Sequence, residues 1–192
     1  MRVLVACEYS GQVRDAFRSR GHDAVSCDLL PTDVPGPHVQ GDVLPLLTGG
    51  WDLLIAFPPC TYLCASGMHW TTRGLRDPQL TEDALDFVRA LMAAPIPRIA
   101  IENPVGRIST AIRPPDQYVQ PWEHGHGETK RTGLWLKGLP LLRPTDVVEG
   151  RQQRVWKMGP SPDRWKMRSA TFPGIAAAMA AQWGWTWSGI TA

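Results

Sequence analysis

The 192-residue chain has no apolar run long enough to cross a bilayer, so no membrane contact is expected. Its opening residues, MRVLVACEYS, carry neither a long apolar stretch nor a small-residue cleavage site, and read as the start of a cytoplasmic domain and not as an export signal. Charge of one sign is scarce. Lys and Arg number 20 against 18 Asp and Glu, and the formal net charge of +2 is too small to indicate a nucleic-acid partner by itself. Cysteine is sparse as well: Cys7, Cys27, Cys60 and Cys64 could form two disulfides by parity, but that pattern belongs to short secreted chains, so free thiols are expected. Internal repeats and low-complexity tails are absent, which excludes a solenoid and a disordered arm. A second independent domain would need more chain than this, so residues 1–192 are expected to form one unit with any extra function in loops.

What is present is a core and a rhythm. Hydrophobic residues make up 43%, enough for a substantial interior. RVLVA at residues 2–6 reads as a buried strand ended by a polar turn containing Gly11. VRDAFRSRG follows, with Val13, Ala16 and Phe17 at helical spacing and Gly21 as its stop. DAVSCD at residues 23–28 is a second strand ending on an acid, completing a β-α-β unit. After a Pro- and Gly-rich connection to Asp42, WDLLIAFPPC reads as a central strand stopped by Pro58 and Pro59. Residues 80–93 predict a helix with Leu85, Val88, Leu91 and Met92 on one face, and PRIAIENP another buried strand. GLWL at 133–136 is a late strand, residues 137–170 are mostly loop, and an Ala-rich helix starts at Gly174, with Trp183, Trp185 and Trp187 covering the sheet edge. This alternation predicts an α/β fold with a mostly parallel central sheet flanked by helices. Reactive groups in such sheets collect at the carboxyl ends of strands, which here carry Glu8, Asp28, Cys60 and Glu102.

Two of those ends carry the strongest signals. FPPCTYLCASG (57–67) and ENP (Glu102 to Pro104) close consecutive predicted strands. Together they resemble the Pro-Cys nucleophile loop and the Glu-Asn motif of DNA cytosine-C5 methyltransferases, in that family's order. The likeness runs over nearly the whole chain and is greatest to the short, phage-type members. It implies a Rossmann-like fold, S-adenosyl-L-methionine as cofactor and double-stranded DNA as substrate.

The chemistry explains the residue types. Carbon 5 of cytosine is a poor nucleophile, and a thiolate adding at carbon 6 pushes electron density onto it. An unperturbed thiol has a pKa of about 8.5, so a local field must ionise Cys60. The Glu102 carboxyl, beside ring nitrogen 3, neutralises charge that develops during attack, with Asn103 and Pro104 fixing its strand-end position. Cys64 falls where the family has a small polar residue and reads as a loop-packing or secondary thiol. The spacing of Cys60, Cys64, His124 and His126 fits no closed zinc pattern, and no metal is expected.

ACEYSGQV stands where the family has a Gly-rich turn; it keeps Gly11 and departs at Glu8, Tyr9 and Gln12. The resemblance puts the methionine portion of the cofactor at Glu8, Tyr9, Ser10 and Gly11. Asp28 has the position and charge to bind the ribose hydroxyls. Asp42 resembles the acid that contacts the adenine, and Leu29, Val43 and Pro58 complete the site. ETKRT (128–132) replaces the family's Gln-x-Arg-x-Arg, with Glu128, Lys130 and Thr132 at its three fixed positions. Lys130 and Arg131 are then the candidate cations for the cytosine carbonyl or a phosphate. His124 and His126 read as turn groups, with DNA contact as the alternative.

Residues 151–168 carry Arg151, Arg154, Lys157, Arg164, Lys166 and Arg168 against Asp163 alone, interleaved with Trp156 and Trp165. Such a stretch suits phosphate contact and stacking. Conventional members insert a large recognition region here, for which residues 137–170 are too short. This reduced loop region is therefore expected to contact DNA through those six cations, with Ser66 and Asn103, and to read a short or relaxed target. Trp156 or Trp165 would fill the gap left by the extruded base. A monomer or weak dimer is expected. Two rival readings stand beside this one. Cytosine in RNA or a nucleotide, or another one-carbon donor, is kept open by the altered turn at Glu8 and Tyr9. A non-catalytic DNA-binding relative is favoured by the departures at that turn and at ETKRT, and opposed by the pairing of Cys60 with Glu102.

Overall fold

The computed structural model of the chain describes residues 1–185, so Trp187 lies outside the described residues. The elements in order are β1 (Arg2–Ala6), α1 (Gln12–Arg18), β2 (Asp23–Asp28), β3 (His38–Gln40), β4 (Leu53–Ala56), α2 (Ala65–Thr72), α3 (Gln79–Ala93), β5 (Arg98–Pro104), α4 (Arg107–Ala111), β6 (Gln117–Val119), β7 (Thr132–Lys137), α5 (Arg154–Lys157), α6 (Arg164–Ser169) and α7 (Pro173–Trp183). Seven strands form one sheet in the order β3-β2-β1-β4-β5-β7-β6. The first five of that order are parallel, whereas β7 runs antiparallel to both β5 and β6.

Side chains alternate across each strand, which makes two cores. Val3, Val5, Leu53 and Ile55 turn to the face that also buries Val13 and Phe17 of α1 and Ile175, Met179 and Trp183 of α7. Leu4, Ala6, Leu54 and Ala56 turn to the face that buries Leu85, Val88 and Leu91 of α3. Covered on both sides, β4 is apolar at every position, LLIA. Each such Leu or Ile contributes about 1.5–3 kcal/mol by leaving water, so these strands anchor the loops at their ends.

Several details differ from the sequence expectation. The central strand ends at Ala56, leaving Phe57 to Cys60 as loop. The late strand at Thr132–Lys137 is reversed. Within the stretch expected to be loop lie α5 and α6, neither of which buries a residue. Trp183 is buried, and its indole N–H donates to the Pro140 carbonyl at 3.0 Å. Trp185, by contrast, is 75% exposed and does not seal the sheet edge. No helix among the described residues is long and apolar enough to cross a membrane.

Candidate active site

The strand order reverses between β1 and β4, and in open parallel sheets ligands bind beyond the carboxyl ends at such a switch point. One wall of the crevice is the turn Cys7 to Gly11. Cys7 holds a positive φ of 58°, rare for a residue with a side chain and a sign of backbone constraint at a functional turn. Gly11 has φ 72°, and a Cβ there would lie 2.6 Å from both the Arg14 guanidinium and Val34. Only glycine lets the chain pass.

Glu8 was expected to touch the cofactor, but its carboxylate turns into α1. It accepts the backbone N–H of Val13 at 2.6 Å and of Arg14 at 3.2 Å. It thus satisfies two of the helix's free amides, and burial pushes its pKa up to about 7. Tyr9 is also engaged. Its hydroxyl donates to the Lys166 carbonyl at 3.0 Å and lies 2.8 Å from the Ser169 hydroxyl, and its ring meets that of Trp165. A cavity of about 50 Å³ remains between Cys7–Ser10, Phe57 and Ser169–Thr171. Beyond β2, Asp28 is half-buried, its carboxyl raised by burial, and one oxygen accepts the Leu30 N–H at 3.0 Å. Leu29 beside it is 73% exposed. Asp42 accepts the Leu44 N–H at 3.0 Å and so caps a short helical turn, while Val43 is buried. Both acids raise the neighbouring thiols of Cys7 and Cys27 electrostatically, which puts them on one side of the crevice.

The other wall is the loop after β4. The Cys60 carbonyl accepts the N–H of Leu63 at 3.0 Å and of Cys64 at 2.9 Å, so residues 60–64 form one tight turn leading into α2. That turn is sewn to the end of β5: Ala65 N–H donates to the Val105 carbonyl and Arg107 N–H to the Leu63 carbonyl, at 3.1 and 2.7 Å. Gly106 permits the approach, since a Cβ there would sit 1.9 Å from the Leu63 oxygen. Asn103, expected to meet DNA, is instead buried. Its amide donates to the Pro58 carbonyl at 2.7 Å and ties the two loops together.

These ties bring Cys60 and Glu102 into one neighbourhood. The Cys60 thiol feels the neighbouring Cys64 sulfur, the Glu102 carboxyl and the Lys130 ammonium. The Cys64 sulfur also lies 3.3 Å from the Ser66 hydroxyl, and the Gly67 N–H donates to the Cys64 carbonyl at 3.0 Å. The two sulfurs influence each other: the neighbouring Cys64 and burial push the Cys60 thiol up, while Cys60 and the Ser66 hydroxyl draw the Cys64 thiol down. Ser66, expected to face DNA, serves this sulfur.

Glu102 is half-buried, and desolvation of its carboxyl raises it above the ordinary range; the Lys130 charge and a hydrogen bond from Thr132 oppose that rise. Lys130 and Thr132 reach it because a reversed β7 begins where β5 ends, with Thr132 opposite Pro104. Arg131 does not reach it. Its guanidinium lies 4.6 Å over the Tyr118 ring, on the exposed side of the chain.

No protein-family profile matches this chain, and neither does any curated protein. Among solved structures it is similar to EhMeth, a methyltransferase of Entamoeba histolytica, at 14% identity and a TM-score of 0.51. The likeness covers 78% of this chain, which spans 57% of the other's length. The chain shares the Rossmann-like α/β fold of that structure.

On this Rossmann-like fold the basic segment is folded back and not splayed outward. Lys166 pairs with Asp33 at 2.6 Å, so α6 lies across the Tyr9 turn. Arg154 pairs with the buried Glu128 carboxylate. Arg151 stacks 3.9 Å over Trp122, and Arg164 donates to the Met158 carbonyl at 2.9 Å. Lys157 and Trp156 remain open to solvent, and Arg168 is half-buried. His124 and His126 act inside the fold, His124 against Thr145 and His126 accepting the Gly174 N–H at the start of α7. Thr132 and Cys64 are the site residues that sequence reading left without a role. Thr132 stands in the place of an arginine, and Cys64 carried the signal of a four-residue spacing from Cys60.

Proposed function

We propose that this chain transfers a methyl group from S-adenosyl-L-methionine to carbon 5 of a cytosine in double-stranded DNA, with the base turned out of the duplex. The observation that carries the reading is the convergence of Cys60, Glu102, Lys130 and Thr132 where β4 and β5 end and β7 begins. The residues of the opposite wall fit the cofactor. Asp28 keeps one oxygen for a ribose diol, the exposed Leu29 offers an apolar cover for adenine, and Ser10 lines the small cavity at the turn after β1. When bound, S-adenosylmethionine supplies an electrophilic methyl group.

The chain's own groups do the rest. The Cys60 sulfur adds to carbon 6 of the ring. Glu102, which burial keeps inclined to hold its proton, donates to ring nitrogen 3 and prevents charge from building there. Lys130 balances the negative charge of the sulfurs and the carboxyl. Asn103 holds the Pro58 loop so that sulfur and carboxyl keep their separation.

Labelled S-adenosylmethionine incubated separately with duplex DNA, RNA and free cytidine nucleotides tests the reading. Label is expected in the cytosines of DNA. DNA containing 5-fluorocytosine is expected to become covalently attached at Cys60, and Cys60→Ala to abolish both results. Transfer to RNA or nucleotides alone would reassign the substrate. No label and no adduct with any of them would make the chain a non-catalytic relative of the fold.

A further inference from the structure

The segment between α5 and α7 crosses the wall assigned to the cofactor without joining either core. From Met158 to Ala170 no residue is buried, and none belongs to the two apolar clusters. Its backbone hydrogen bonds stay within the segment, as from the Met167 N–H to the Asp163 carbonyl and from the Ala170 N–H to the Lys166 carbonyl. Among the described residues, three side chains of the body make its polar contacts. The Tyr9 hydroxyl donates to the Lys166 carbonyl at 3.0 Å and lies 2.8 Å from the Ser169 hydroxyl, and the Tyr9 ring meets that of Trp165. The Lys166 ammonium reaches Asp33, on the loop after β2, at 2.6 Å. At the α7 end, the Lys130 ammonium donates to the Ala170 carbonyl at 3.4 Å. A segment held in this way, with no buried side chain, opens at far lower cost than the sheet beneath it.

Its position gives that opening a consequence. Ser169, Ala170 and Thr171 face Cys7 to Ser10 and Phe57, and only about 50 Å³ is left between them. Sites that enclose a small organic molecule measure about 300 Å³ or more. Leu29, by contrast, is exposed at the end of β2, so the side assigned to ribose and adenine stands open while the side assigned to the amino-acid portion is covered. We propose that residues 158–170 are a strap that gates the crevice: held by Tyr9 and Asp33 it excludes the amino-acid end of the cofactor, which enters only when the strap lifts. The gate rests on the cofactor reading proposed above. Because the lowered strap and the ligand compete for one space, weakening either hold enlarges the population able to bind, and so raises both affinity and rate of uptake. A lid that closes over its ligand behaves in the opposite sense, since loosening it lets the ligand go. An exposed ion pair such as Lys166 with Asp33 changes such a population by up to about fivefold.

S-adenosylhomocysteine, which carries no net charge near neutral pH, is the probe, applied to the full-length chain. Asp33→Lys sets two ammonium groups against each other, and the double variant Asp33→Lys with Lys166→Glu pairs them again with the charges exchanged. Calorimetry gives Kd, stopped-flow tryptophan fluorescence gives the rate of uptake, and limited trypsin digestion after Arg164 and Arg168 reports the strap without any ligand; thermal melts verify folding. In Asp33→Lys, cleavage is expected to quicken several-fold and S-adenosylhomocysteine to bind faster and about three- to fivefold tighter. The double variant is expected to return all three readings toward those of the unsubstituted chain, in which saturating ligand should itself quicken cleavage. Weaker binding in Asp33→Lys, or protection of the strap by the ligand, would overturn the gate in favour of a lid that closes on its ligand. Binding indifferent to faster cleavage would overturn the gate and leave the cofactor reading standing. No binding by any variant, with cleavage still quickened, would remove the cofactor reading and the gate with it.

Discussion

The Lys130 ammonium, which donates to the Ala170 carbonyl at 3.4 Å, acts through its charge on the half-buried Glu102 carboxyl, at the point where β7 begins beside the end of β5. Burial alone raises the carboxyl, and the ammonium draws it back. Lys130 lowers the Cys60 thiol in the same way. One cation therefore acts on both the Glu102 carboxyl and the Cys60 thiol.

Lys130→Met removes that influence from both groups. The limb governed by ionisation of the Cys60 thiol and the limb governed by protonated Glu102 should each move to higher pH, so the whole pH–rate profile shifts upward while keeping its bell shape. Lys130→Arg should hold the profile near its original place. A profile that narrows or moves downward would show that Lys130 does not face these groups.

Glu8 makes stability depend on pH. Its folded pKa of about 7 lies above the ordinary 4.5, so between those values the folded chain holds a proton that the unfolded chain has released. Its stabilising contribution is full below about pH 4.5 and declines as pH rises to about 7, by on the order of 3 kcal/mol. Glu8→Gln, whose side-chain carbonyl still accepts an α1 amide, should flatten this slope. Melting temperatures at pH 5 and pH 8 for both chains give the comparison, and equal slopes would contradict the burial.

Gly106→Ala puts a methyl group where the Leu63 oxygen and the Cys64 Cα already stand, at 1.9 and 2.7 Å. Backbone must move, at a cost of about 1–3 kcal/mol. The expected result is a lowered Tm together with loss of the 5-fluorocytosine adduct, because the displaced turn is the one that carries Cys60. Retained adduct formation would mean that the turn has slack.

Tyr9→Phe deletes the hydroxyl that joins the cofactor turn to Lys166 and Ser169. The loss is about 1 kcal/mol, enough to loosen α6 without unfolding the sheet. Limited proteolysis should then cut within residues 151–169 several times faster while the global melting temperature hardly moves. Equal cleavage rates would show that the hydroxyl holds nothing in place.

The doubly covered strands were legible because burial on both faces leaves short continuous apolar runs: RVLVA and DAVSCD became β1 and β2 at their expected limits. Periodicity likewise found α3. The helix α2 left no such trace, since ASGMHWTT buries no residue and is held by backbone bonds from the turn before it and the strand end beside it. The reversal of β7 was hidden because an apolar run reads the same in either direction. At the site, the positions of Cys60 and Glu102 followed from strand ends. The inward turn of Glu8 did not, because an acid before a Ser-Gly turn suits a helix cap and a ligand equally well. Composition also concealed the engagement of the basic segment: Lys166 finds Asp33 from 133 positions away.

The two latches, Arg154 on Glu128 and Lys166 on Asp33, lie on either side of residues 158–163, a stretch that contributes no residue to either core. Both its ends are therefore clamped to the body of the fold independently of what joins them. That makes it a natural splice point: a foreign module inserted between Met158 and Asp163 would be held over the strand ends by anchors already in place, without redesign of the sheet.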